Sequence, residues 1–166
     1  MDGHLAALPA VHGIVAAEAF SPDSRTLAAG SADKTVRLWD ITNPTAQDLA
    51  RLIGSCGAIY SLTYNRAGTR LAAGTGDQGL WIWDTTNQAQ PAPFAVLDAY
   101  PGRVNDVAYG PADRNLSAAG PDKTIRTWTT NPDDVAATIC SNPAGVITHD
   151  GWDRYLPGRP YTTPCP

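Results

Sequence analysis

The chain has 166 residues, 43% of them hydrophobic and 17% charged, with 15 Gly and 14 Pro; that is enough for one domain with a real core and too rich in turn residues for a helix bundle. Its 12 Lys and Arg stand singly against 16 Asp and Glu, for a net charge of −4, so the basic stripe of a nucleic-acid binder is missing. No apolar run approaches the ~18 residues that a membrane span needs, and Met1-Asp2-Gly3-His4 lacks the positive stretch of a secretory signal. A cytoplasmic protein is the expectation, with neither membrane nor nucleic acid among its partners. Cys56, Cys140 and Cys165 show no CxxC spacing and read as free thiols in a reducing compartment. An oxidising one would let Cys140 and Cys165 pair.

In chain order, residues 5–8 (LAAL) read as a short outer strand and residues 15–20 (VAAEAF) as a first inner one. Ser21-Pro22-Asp23-Ser24 follows, a turn of residues that pre-set φ or bond their own backbone. Residues 27–30 (LAAG) form a strand of small apolar residues, suited to a sheet packed on both faces. Ser31-Ala32-Asp33-Lys34 then turns into residues 35–39 (TVRLW), β-branched and aromatic as strands prefer. The stretch 49–53 (LARLI) is the next outer strand. The pattern restarts at Ile59, and again at Val104 after the outer stretch 94–97 (FAVL).

The three copies are a repeat without insertions. Five positions separate the first β-branched residue from an aromatic in Val15/Phe20, Ile59/Tyr64 and Val104/Tyr109. A Leu (Leu27, Leu71, Leu116), an Asp (Asp33, Asp77, Asp122) and a Trp (Trp39, Trp83, Trp128) follow at fixed spacing, and the Trp residues recur at intervals of 44 and 45. Each repeat supplies about four strands, and four-stranded units every ~40–45 residues are the sequence mark of a β-propeller. Beyond them, Asn131-Pro132-Asp133-Asp134 places an N-cap, a proline at N1 and acidic residues ahead of 135–140, which predicts a helix start. Thr148 caps a second short helix over 151–156, ended by Pro157-Gly158.

The Trp39-Asp40 and Trp83-Asp84 pairs, the Asp six positions before each Trp, and the Phe20-Ser21-Pro22-Asp23 turn resemble the WD-repeat β-propeller family. The resemblance runs from about Leu5 to Thr130. It implies that each Trp and turn Asp belongs to a hydrogen-bonded structural set, completed by a His before the first strand and a Ser or Thr in the second. The chain departs from that set. Ala29, Ala73 and Ala118 stand at the Ser position, His12 is displaced by one residue, Ser55 and Tyr100 replace the His in the other copies, and the third pair is Trp128-Thr129. Glu18 falls where the other copies have Leu62 and Val107, which predicts an open flank on the first unit, since a carboxylate in a closed core is costly unless paired.

Chemistry-bearing motifs are few. Gly74-Thr75-Gly76-Asp77-Gln78-Gly79 fits G-x-G-x-x-G, but a strand follows it instead of the helix whose amides would hold a pyrophosphate. No phosphate loop or nucleophile elbow occurs. His4, His12 and His149 have no ligand spacing to one another or to a cysteine. The expectation is therefore no catalytic residue, no metal and no cofactor. Trp81 stands where the other copies have Arg37 and Arg126, a place that tolerates charge; exposed, it would be an interface anchor, and otherwise it packs against a neighbouring blade. Tyr60, Tyr100 and Arg103 sit at or beside the start of first strands, the side on which family members often bind partners, and are hot-spot residue types.

The fold expected is all-β: a partial β-propeller of three four-stranded WD-repeat blades with a short helical C-terminal cap. Residues 1–130 hold the blades, as units of about 5–40, 47–84 and 94–129, and residues 131–166 the cap. The function expected is a non-catalytic scaffold for protein partners, with the repeat signature Asp33, Trp39, Asp40, Asp77, Trp83, Asp84, Asp122 and Trp128 in a structural role. The outer strand at 5–8 suggests a homodimer joined through open blade edges. The spacing of Cys140, Thr148, Trp152, Tyr155-Leu156-Pro157-Gly158, Tyr161 and Cys165 resembles the closing segment of certain bacterial WD-repeat proteins. That resemblance implies an alternative, the C-terminal regulatory part of a larger signalling enzyme, a kinase or signalling ATPase.

Overall fold

The computed structural model describes residues 12–43, 46–98 and 101–141. The strands at 5–8, the helix at 151–156, Tyr100 and Cys165, all expected from sequence, lie outside the described residues. Among the described residues the chain forms three antiparallel sheets. The first comprises β1 (Val15–Phe20), β2 (Thr26–Ser31), β3 (Val36–Asp40) and β4 (Gln47–Leu52) in that order. The second comprises β5 (Ile59–Tyr64), β6 (Arg70–Thr75), β7 (Gly79–Asp84) and β8 (Ala92–Asp98), again in chain order.

The third sheet shows three of the expected four strands among the described residues, β9 (Asp106–Tyr109), β10 (Asn115–Ala119) and β11 (Ile125–Thr129). Two residues separate β11 from α1 (Pro132–Ser141), too few for another hairpin turn and strand. Asn131 caps the helix: its carbonyl accepts from the Val135 amide at 3.1 Å and its side chain from the Asp134 amide at 3.2 Å. A proline at N1 favours that helix and cannot donate to a ladder.

Hairpin registers repeat between the copies. Phe20 pairs with Leu27 and Tyr64 with Leu71. Leu27 then pairs with Trp39, and Leu71 with Trp83. The outer strand before each copy pairs with the sheet behind it, as Leu38 with Ala50 and Ile82 with Ala95. A sequence repeat therefore straddles two sheets.

Two apolar layers form where the sheets stack. Between the first and second sheets lie Ala17, Ala28, Val36, Leu38 and Leu52 against Ile59, Leu62, Tyr64, Leu71, Ala73 and Trp83. Between the second and third lie Ala72, Leu80 and Ile82 against Val104, Val107, Leu116 and Ala118. The second sheet is thus covered on both faces, which is why its middle strand reads Leu71-Ala72-Ala73-Gly74 without alternation. Gly30 and Gly74 let the sheets approach. A Cβ at Gly30 would stand 2.4 Å from Ile59 Cγ2, and one at Gly74 2.8 Å from Val104 Cγ1.

Candidate functional site

Each second hairpin turn carries a residue in the left-handed region, Lys34 (φ 73°), Gln78 (φ 70°) and Lys123 (φ 66°), at the same place in the repeat. The Asp just before it, Asp33, Asp77 or Asp122, organises the turn. Asp33 Oδ1 accepts from the Thr35 amide at 3.0 Å and the Thr35 hydroxyl at 2.6 Å. Asp122 accepts from the Thr124 amide at 3.0 Å and its hydroxyl at 2.8 Å. In the middle copy Gly79 stands where that Thr would be, and the Thr75 hydroxyl donates to Asp77 instead. The Asp77 carboxylate also accepts from the Cys56 amide at 2.6 Å. Burial pushes the Asp77 carboxyl up, but the Thr75 hydroxyl and the surrounding amides outweigh it and hold the group below 3.8. Asp33 is lowered on the same balance, burial opposed and exceeded by Thr35 and Ser31.

Asp40 and Asp84 act at the other end of the third strands. Thr42 donates to Asp40 through its amide at 2.8 Å and its hydroxyl at 2.6 Å. The Thr86 amide donates to Asp84 at 2.9 Å, and Arg70 pairs with it at 2.9 Å. Both carboxyls are lowered chiefly by those threonines. Asx turns of this kind stop the strand and aim the chain towards the next outer strand.

The polar set implied by the resemblance is only partly present. Trp39 and Trp83 are buried, and the indole Nε1 of each has no hydrogen-bond partner, because the second-strand position offers Ala29 or Ala73 and no hydroxyl. Trp128 is half-buried against the second apolar layer. His12 is exposed. Ser55 bonds within its own turn, donating to the Gly57 carbonyl at 2.7 Å. The Cys56 amide has taken over the link to the turn Asp.

The surface residues singled out from sequence part company. Trp81 is half-buried, stacked on Trp83 with ring centroids 5.9 Å apart, and Gly54 lies against its ring; it packs. Its counterparts are ion-paired, Arg37 to Asp48 at 2.9 Å and Arg126 to Asp122 at 3.5 Å. Tyr60, in β5, and Arg103, in the loop ahead of β9, come together: the guanidinium carbon lies 5.3 Å from the centre of the Tyr60 ring, with both residues exposed.

Sequence reasoning missed two contacts between sheets. The Ser61 hydroxyl donates to Asp106 at 2.8 Å, and the Arg66 amide donates to both oxygens of Asp113 at 2.8 and 3.0 Å. Asp113 reads locally as a turn residue, and no local pattern signals a partner 47 positions away. Beside it, burial first and the Asp113 charge second push the Tyr109 phenol up to about 12.

A polar cleft of about 200 Å³ opens between Pro22, Asp23 and Gly68, Thr69, Thr85, Thr86, smaller than the ~300 Å³ at which ligand sites begin. Among the described residues no three His, Cys, Asp or Glu gather as a metal would require. No described helix is long and apolar enough to cross a membrane.

Three stacked antiparallel sheets of one repeated pattern, each third strand carrying the same Trp and each second turn the same Asp, define a repeat protein. The family model described as WD40: WD domain, G-beta repeat, matches residues 2–40, 46–84 and 92–129, well over half of the chain, which belongs to that family. No curated protein matches the chain.

Proposed function

We propose that the chain is a non-catalytic, cytoplasmic scaffold, its three sheets the blades of a partial β-propeller and α1 part of a closing segment, that binds a protein partner across the rim of the second and third blades. Tyr60 and Arg103 carry the proposal. They come from different blades, stand at the start of first strands, and are held against each other while facing solvent. Aromatic and Arg side chains fixed in this way form hot spots, because little side-chain freedom is left to lose on binding.

The test is a photo-crosslinking residue placed next to Tyr60 in the full chain, used to identify partners, followed by titration of each partner with wild type and with Tyr60→Ala and Arg103→Glu. A partner that binds wild type and weakens at least about tenfold with both variants supports the assignment. Equal binding by all three, or turnover of ester, phosphate or peptide substrates above background, overturns it. The spacing in the tail supports a second role, as the regulatory part of a larger bacterial signalling enzyme; in-frame sequence encoding a catalytic domain upstream of Met1 would establish it.

A further inference from the structure

Each first hairpin turn carries one residue in the left-handed region at the same place in the repeat: Ser24 (φ 58°), Gly68 (φ 70°) and Asp113 (φ 57°). Where the second and third sheets stack, that residue latches the joint. The Asp113 carboxylate reaches back to the first hairpin turn of the second sheet and accepts from the Arg66 amide through both oxygens, at 2.8 and 3.0 Å. Where the first and second sheets stack, neither half of this latch is present. Pro22 stands at the place of Arg66 and has no N–H to donate, and Gly68 stands at the place of Asp113 and has no side chain to accept.

The gap left there is the polar cleft of about 200 Å³, with Pro22 and Asp23 on one side and Gly68, Thr69, Thr85 and Gln88 on the other. A Cβ at Gly68 would stand 3.3 Å from Pro22 Cδ, so a side chain at that place would narrow the cleft; Ser24 and Asp113 show that the backbone conformation does not itself demand glycine. Among the described residues no Lys or Arg lines the cleft, and its walls offer acceptors. Asp23 takes the Ser21 hydroxyl at 2.5 Å and the Arg25 amide at 3.1 Å, both on Oδ1, which leaves Oδ2 for a further donor. Its carboxyl is held below the ordinary value, chiefly by the Ser21 hydroxyl, and is charged at neutral pH. Gln88 Oε1 is buried without a hydrogen-bond partner, which costs free energy until a donor reaches it. Thr85, 1% exposed, spends its own hydroxyl on the Gly68 carbonyl at 2.9 Å.

We propose that this cleft binds one arginine side chain of a protein partner. The guanidinium donates to Asp23 on one wall and to Gln88 on the other, and the stem lies along the Pro22 ring. The occupant is a cation because the carboxylate has an oxygen to spare and no ion pair within the chain; Arg25 meets it through the backbone amide. Arginine fits better than lysine because its planar fork sends donors to two walls at once. A partner's side chain fits better than a free ligand because 200 Å³ lies below the ~300 Å³ at which ligand sites begin, and the apolar Pro22 wall is used only by a guest with a stem. The cleft stands beyond the opposite end of β5 from Tyr60, so the two contacts stand or fall separately.

Titration of the isotopically labelled full chain with a blocked Ala-Arg-Ala tripeptide, read by NMR at the Gly68, Thr85 and Thr86 amides, tests this. Saturable shifts at those amides are the expected result. Replacing the arginine of the peptide by citrulline, which keeps the shape and loses the charge, should weaken binding at least about tenfold, and so should Asp23→Asn. Gly68→Ser, which fills the cleft, should abolish binding. Asp23→Asn changes an exposed side chain and keeps Oδ1 as an acceptor, so it remains decisive if Gly68→Ser fails to fold. Four results would each overturn the proposal: no saturable shift at these amides, equal affinity for the citrulline or a lysine peptide, equal affinity for methylguanidinium alone (a site for a free small cation), or unchanged binding in Asp23→Asn.

Discussion

At the scale of single residues, the repeat places a cost and its remedy side by side. A left-handed backbone costs a residue with a side chain roughly 1–2 kcal/mol, and the chain adopts it at Lys34, Gln78 and Lys123 without using Gly. The Asp clamps offset that cost, and they make stability depend on pH. The Asp77 carboxyl is held below 3.8, so the folded state binds fewer protons than the unfolded one in that range. Its contribution is complete above 3.8 and is lost as pH falls through the lowered folded value. Asp77→Asn should cost about 1 kcal/mol at neutral pH and flatten the acid dependence below 3.8. Melts of both proteins across that range check this; parallel acid curves would contradict it. The turn Asp was legible in sequence because its partners are two residues away. The exchange of a His for the Cys56 amide was not, because a backbone donor has no sequence signature.

At the scale of elements, strands and turns followed from local chemistry, since β-branched and aromatic runs and turn residues act over a few positions. In the third sheet the inner strands repeat those of the other two, and the helix start read at Asn131-Pro132 is where α1 begins, two residues beyond the end of β11. The third strands show what holds an element in place when its polar partner is lost. Trp83 is buried with its Nε1 unpartnered, so its contribution is packing against Trp81 and the first apolar layer. Trp83→Ala should therefore cost about 3–5 kcal/mol, read as a fall in denaturation midpoint. An unchanged midpoint would mean that the third strand does not hold the joint.

At the scale of the whole molecule, the sheets are joined by three devices of different visibility. The outer strands β4 and β8 pair with the sheet behind them while belonging in sequence to the repeat ahead, which the repeat spacing foretold. The Asp106 and Asp113 contacts span more than forty positions and were invisible to it. Close approach at glycine is the third device, and it can be tested. Gly30→Ala would ordinarily stabilise by ~0.4–1 kcal/mol, through reduced freedom of the unfolded chain. Here the added Cβ would stand 2.4 Å from Ile59 Cγ2, so the sign should reverse, to a loss of about 1–3 kcal/mol. Ile59→Ala removes the atom it strikes. The double variant should then lose less than the two single losses added together, a coupling that contacting pairs show and distant ones do not. Denaturant titration of the four proteins measures that coupling directly. A stabilising Gly30→Ala, or simple additivity, would mean that the spacing of the sheets is set elsewhere.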